Sequence, residues 1–152
     1  MSLKIYYQFL SLILLISSVV NSDVLKIDID NYDKEVNLSK EIWLIEFYSE
    51  KCSTCKEFSH VWNELVKKIN YIRIGRVNID EPKGINLANK LNALENGIPC
   101  VRLNYGKDKT EDIMIGTEEP FPSAKTLQNR VDTILKKKGK LQNGKYLINE
   151  DL

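Results

Sequence analysis

The chain has 152 residues, enough for one domain with a sizeable core. It carries 22 Lys and Arg against 21 Asp and Glu, and Lys4 is the only charge before Asp23, so residues 23 onward are formally neutral. Such a balance speaks against a nucleic-acid binder, which needs a basic surplus, and against an acidic disordered chain.

Residues 1–22 read as a secretory signal peptide. Lys4 supplies a basic start, residues 9–20 are apolar apart from Ser11, Ser17 and Ser18, and Val20-Asn21-Ser22 places compact residues before Asp23. A retained membrane anchor is the other reading, but the apolar run is shorter than the roughly 20 residues a span needs. The sequon Asn37-Leu38-Ser39 fits a secretory route.

Residues 24–29 alternate as Leu25, Ile27 and Ile29 against Lys26 and Asp28, which predicts a half-exposed strand. A short helix is expected within 31–38. Residues 42–48 form the strongest strand candidate, apolar on nearly both faces, as central strands of α/β sheets are. Its period of two puts Glu46 on one face with Ile42, Leu44 and Tyr48, a carboxylate among apolar neighbours.

The strand breaks at Ser49-Glu50-Lys51 and a helix follows, opened by Cys52-Ser53-Thr54-Cys55. Its inner stripe is Cys55, Phe58, Trp62, Leu65, Val66 and Ile69. Two cysteines two residues apart at a helix start lie within disulfide reach, and the first points its sulfur at unsatisfied N–H groups. Nearby Lys51 and Lys56 also favour the thiolate, the nucleophile of disulfide exchange. The same pair is half of a zinc site, but no second C-x-x-C or H-x₃-H follows, and no metal is expected.

Residues 71–79 predict another strand, with Gly75 inside it. Asp80-Glu81-Pro82 then reads as a helix start with Asp80 as cap, and Ile85, Ala88 and Leu91 as the inner face. Gly97-Ile98-Pro99 interrupts the pattern before a strand over 100–105. A short strand over 113–115 makes 105–115 a hairpin. An amphipathic helix over 124–137 runs through Leu127, Val131, Ile134 and Leu135. Beyond Gly139 the chain turns polar, with Asn143-Gly144 a candidate turn. Three cysteines are too few and odd in number for a stapled scaffold; a close pair plus one suggests a working dithiol and a separate thiol.

These residues together resemble the thioredoxin-fold family, in particular single-domain thioredoxins and the catalytic modules of protein disulfide isomerases. The likeness rests on the stretch 43–58, on Arg76-Val77-Asn78-Ile79-Asp80, on Gly97-Ile98-Pro99 and on the closing hairpin and helix. It implies an α/β thioredoxin fold, a central mixed β-sheet flanked by helices on both faces. The implied organisation is a signal peptide over 1–22, a thioredoxin-like domain over 23–138 and a C-terminal tail over 139–152.

By the same resemblance Cys52 is the nucleophile, Cys55 the resolving thiol and Glu46 the buried acid that manages its proton. Pro99 is a cis-proline, and Ile98 presents its backbone to an extended substrate. Lys51, Arg76 and Cys100 are possible modulators; Cys100 is either a packed, inert thiol or a regulatory one. The chain departs from the family in four places. Lys51 replaces a tryptophan, Ser53-Thr54 replaces Gly-Pro or Gly-His, His60 replaces a helix-kinking proline, and Thr117 stands near an absent arginine.

The function implied is thiol–disulfide exchange with protein substrates in the endoplasmic reticulum lumen or outside the cell. No cofactor is needed beyond electrons from a partner reductase or oxidase, and no membrane contact remains after signal cleavage. The final Asn149-Glu150-Asp151-Leu152 loosely resembles an ER-retrieval tail. A binding or chaperone subunit with an idle dithiol is the competing expectation.

Overall fold

The computed structural model describes residues 23–149. The signal-peptide reading of 1–22 and most of the tail motif at 149–152 lie outside the described residues. Among the described residues no helix is long and apolar enough to cross a membrane.

Five strands form the main sheet: β1 (Val24–Lys26), β2 (Trp43–Tyr48), β3 (Arg73–Asn78), β4 (Cys100–Asn104) and β5 (Thr110–Met114), in the order β1-β3-β2-β4-β5. β1, β3 and β2 run parallel, while β4 and β5 are antiparallel to their neighbours. The parallel connections need crossover helices. Helix α1 (Ser53–Lys68) links β2 to β3, α2 (Pro82–Lys90) follows β3, and α3 (Ala124–Lys138) follows β5.

β2 is central and explains the near-continuous apolar run. Ile42, immediately before it, and Leu44 pack with Phe58, Trp62 and Leu65 of α1 and Leu127 and Val131 of α3. Trp43, Ile45 and Phe47 face the other way, onto Leu87 and Ala88 of α2. Two cores on one strand give the mixed sheet covered on both faces, as expected.

Local chemistry moved several boundaries. β1 stops at Lys26 because the Asn31 side chain bends the chain back: its Oδ1 accepts from Asp28 N (2.9 Å) and its Nδ2 donates to Lys26 O (2.9 Å). A single turn of π-helix, Asp33–Asn37, stands where a short helix was expected. The inner stripe of α2 is Gly84, Leu87 and Ala88, with Leu91 partly buried, rather than Ile85, Ala88 and Leu91. Gly84 explains the rotation. A Cβ there would lie 1.9 Å from the Asn78 carbonyl oxygen, so only glycine lets the helix sit this close.

The segment after α3 is ordered as a hairpin, β6 (Gly139–Gln142) and β7 (Lys145–Ile148). Asn143 (φ 50°) and Gly144 (φ 77°) make its turn, the Asn-Gly pairing favoured where both residues need positive φ. It docks on the end of the sheet remote from the cysteine pair. Tyr146 N donates to Tyr71 O (2.8 Å), Ile148 N donates to Lys40 O (2.9 Å), and the Tyr71 and Tyr146 rings meet edge to face at 5.9 Å. Tyr71 in turn donates its hydroxyl to Asp132 of α3 at 2.5 Å.

Candidate active site

The cysteine pair sits where β2 gives way to α1. Ser49 ends the buried stretch, and its backbone carbonyl accepts from Cys52 N at 3.4 Å. The turn between them is clamped from the next loop. Asp80 Oδ1 accepts from the Ser49 hydroxyl (2.8 Å) and Asp80 Oδ2 from Glu50 N (2.7 Å), while Ser49 Oγ accepts from Lys51 N (3.0 Å). These bonds hold the Asp80 carboxyl below the usual carboxylate range, the Ser49 hydroxyl contributing most. Asp80 was expected to cap α2; the N-cap of that helix is instead Glu81, with no side-chain bond. The carboxylate is spent on the turn that feeds Cys52.

Cys52 is the N-cap residue of α1, in extended conformation (φ −83°, ψ 121°). Its sulfur takes the acceptor role that Ser, Thr or Asp fills at most helix starts. Cys55 N donates to Cys52 Sγ at 3.1 Å, and the Thr54 hydroxyl lies 3.0 Å from it. Partial burial pushes the Cys52 pKa up. Hydrogen bonds from the Cys55 thiol, the Thr54 hydroxyl and the backbone N–H groups of both outweigh that, and the net shift is downward. Sequence reasoning credited the helix end and the lysines. The Cys55 N–H bond is that helix end; the Cys55 thiol and the Thr54 hydroxyl add to the lowering, no lysine is among its causes, and Lys51 is exposed. Thr54 was legible only as a departure from the family pair; its distance to the sulfur depends on the folded turn.

Cys55, one turn inside, is buried and its thiol is pushed up to about 12, first by burial and then by Cys52. The Glu46 charge adds to the same rise as its smallest cause. Glu46 is fully buried in β2, opposite Arg76 of β3 in the parallel register. Arg76 Nε donates to Glu46 Oε2 at 2.6 Å, and its guanidinium also lies over the Tyr48 ring at 3.9 Å. Glu46 Oε1 is buried with no partner. Burial drives the Glu46 pKa up and Arg76 opposes it, leaving it at about 7.

Across from the pair, the Ile98–Pro99 bond is cis, and the Ile98 carbonyl accepts from the Thr54 hydroxyl at 3.4 Å and from the Cys52 thiol at 4.0 Å. Gly97 turns the chain here at φ 76°. Gly116 backs the loop so closely that a Cβ would stand 2.5 Å from Ile98 N. Neither Gly116 nor the second cis bond, Glu119–Pro120, was singled out in the sequence.

Thus Cys52, Cys55, Glu46, Arg76, Ile98 and Pro99 gather at one end of the sheet. Cys100 follows Pro99 but points away, into the α2-side core with Phe47, Leu87 and Ala88. It is buried, its sulfur 3.9 Å from Asp112 Oδ1, and burial, then Asp112, pushes its thiol up to about 12. His60 is exposed on α1, which runs unbroken from Ser53 to Lys68. All three thiols are free. Among the described residues no group of His, Cys, Asp and Glu is arranged to hold a metal ion.

The thioredoxin family model matches residues 23–120. The chain is 29% identical over 99 residues to protein disulfide isomerase-like 2-3 of Oryza sativa subsp. japonica, covering 64% of this chain and 20% of that protein. It is 30% identical over 94 residues to DnaJ homolog subfamily C member 10 of Rattus norvegicus, covering 57% of this chain and 12% of the relative. The chain therefore spans at most about a fifth of the length of these two relatives. Among solved structures it is similar to the J-Trx1 fragment of ERdj5, with TM-score 0.61, 22% identity, and coverage of 75% of this chain and 50% of that one. At that identity the likeness concerns the fold.

Proposed function

The chain belongs to the thioredoxin family, and on that premise we propose that it is a thiol–disulfide oxidoreductase acting on protein disulfides through Cys52 and Cys55. The observation that carries this reading is the Cys52 sulfur, which accepts at the start of α1 and has its pKa lowered by hydrogen bonds. Exchange needs an anionic, reachable sulfur, and a second thiol that stays protonated until its turn. Cys52 and Cys55 are pushed in those opposite directions.

In the reducing direction the Cys52 thiolate attacks one sulfur of a substrate disulfide. A Cys52–substrate disulfide forms, and the other substrate sulfur leaves as a thiolate that takes a proton from solvent. Glu46, at about 7, takes the Cys55 proton near neutrality. The Cys55 thiolate then attacks Cys52 Sγ, forming the Cys52–Cys55 disulfide and expelling the second substrate thiolate. Two electrons pass to the substrate and a partner reductase returns them; run backwards with a partner oxidase, the same steps oxidise a substrate dithiol. Ile98 and Pro99 hold the substrate strand, and Arg76 sets the charge around Glu46. The leader-like pattern of residues 1–22 supports a secretory setting, in the endoplasmic reticulum lumen or beyond it.

Reduction of insulin disulfides in the presence of dithiothreitol tests this. The full chain should accelerate it, Cys52→Ser should lose at least about a hundredfold, and Cys55→Ser should accumulate mixed disulfides. No acceleration by the wild-type chain overturns the reading and favours a binding or chaperone role.

A further inference from the structure

Thr54 stands between two acceptors with one proton to give. Its Oγ1 is 3.0 Å from Cys52 Sγ and 3.4 Å from the Ile98 carbonyl, and the sulfur itself is 4.0 Å from that carbonyl. A hydroxyl carries a single O–H donor but two acceptor lone pairs. When Cys52 is a thiol, its S–H points to the Ile98 carbonyl or to Oγ1, and the Thr54 O–H is free to donate to that carbonyl. When Cys52 is a thiolate, the strongest acceptor within reach is the sulfur, and the hydroxyl turns to it. The Ile98 carbonyl then loses both side-chain donors.

We propose that the Thr54 hydroxyl is a catalytic switch that couples ionisation of Cys52 to occupation of the Ile98 carbonyl by a backbone N–H of an extended peptide substrate. The inference rests on the oxidoreductase reading and on Ile98 as the substrate's pairing edge. A substrate N–H occupies one lone pair of the carbonyl and weakens it as an acceptor, so the Thr54 hydroxyl turns to Cys52 Sγ. Linkage makes the effect reciprocal: the peptide favours the thiolate, and the thiolate favours the peptide. The nucleophile is thereby most fully ionised when a disulfide-bearing strand is already seated. The pair Ser53-Thr54 supplies this where Gly-Pro or Gly-His has no hydroxyl to offer.

The pH dependence of single-peptide disulfide reduction by the full chain tests it, since kcat/KM reports ionisations of the free enzyme and kcat those of the complex. In the wild type the acidic limb of kcat should lie about one pH unit below that of kcat/KM. Thr54→Ser should keep the gap. Thr54→Val, with Thr54→Ala as a second variant should valine disturb the helix, should close it and lower kcat/KM at pH 7 about three- to tenfold. A gap that survives Thr54→Val and Thr54→Ala, or a wild type with none, overturns the switch while turnover leaves the oxidoreductase reading intact. Absence of wild-type turnover removes that reading first, and the switch with it.

Discussion

The two faces of β2 carry two fates for a thiol. On the α1 side the strand reads Ile42, Leu44, Glu46, all fully buried, with a carboxylate whose pKa is about 7. On the α2 side it reads Trp43, Ile45, Phe47, apolar throughout, and the face ends at Cys100, buried and pushed up to about 12. Cys52 and Cys100 both lie close to Pro99 in the fold or the chain. One sulfur receives a backbone N–H, a hydroxyl and a thiol; the other meets apolar side chains and the Asp112 carboxylate. What separates the two thiols is the set of hydrogen-bond donors aimed at the sulfur, which lower the Cys52 pKa while burial raises that of Cys100.

The silent face should be the more brittle. Gly84→Ala forces a Cβ to within 1.9 Å of the Asn78 carbonyl, so α2 must lift from the sheet. Chemical denaturation should show a loss of about 2–4 kcal/mol. A loss under about 0.5 kcal/mol, the range of an ordinary surface change, would mean that the α2 face is not closely packed.

The α1 face should instead gain from losing its buried carboxylate. Glu46 titrates at about 7 when folded, against an ordinary 4.5. A folded pKa raised above the unfolded one gives stability that is present at low pH and lost as pH rises through about 7. The rise corresponds to about 3 kcal/mol. Glu46→Gln should therefore unfold at higher urea than the wild type at pH 8, by about 2–3 kcal/mol, and the difference should vanish near pH 4. An equal effect at both pH values would contradict the buried-acid assignment.

Smallest of the three is Cys100→Ala, which removes one buried sulfur from an apolar cluster. About 1 kcal/mol of stability should go, with insulin reduction unchanged within about twofold. A larger loss of turnover would make Cys100 part of the exchange chemistry and erase the contrast between the faces.

How much of this was legible in the sequence follows from range. The strand over 42–48, the burial of Glu46 within it and most of the α1 stripe are short-range periodicities and were read correctly, although the stripe missed the buried Val61 and included the half-buried Val66. Asp80 was assigned to the nearest helix start because a cap looks the same in sequence as a long-range clamp. Its true partners, Ser49 and Glu50, lie about 30 residues away. The inner stripe of α2 was rotated because Gly84 is silent in a hydrophobic pattern, although its missing side chain is what allows the close approach. Pro99 in cis came from family likeness, whereas Pro120 carried no such cue. The hairpin after α3 announced its Asn143-Gly144 turn but not its docking on Tyr71, which depends on tertiary contacts.

The central claim is that Cys52, alone among the three thiols, has its pKa lowered and can be reached from outside. Alkylation of the reduced chain by iodoacetamide across pH, resolved by mass spectrometry at each cysteine, measures it directly. The account predicts a half-maximal rate at Cys52 well below the pH of a free peptide thiol, with Cys55 and Cys100 unmodified on the same time scale. A Cys52 profile matching a free peptide thiol, or faster modification at Cys100, would contradict it.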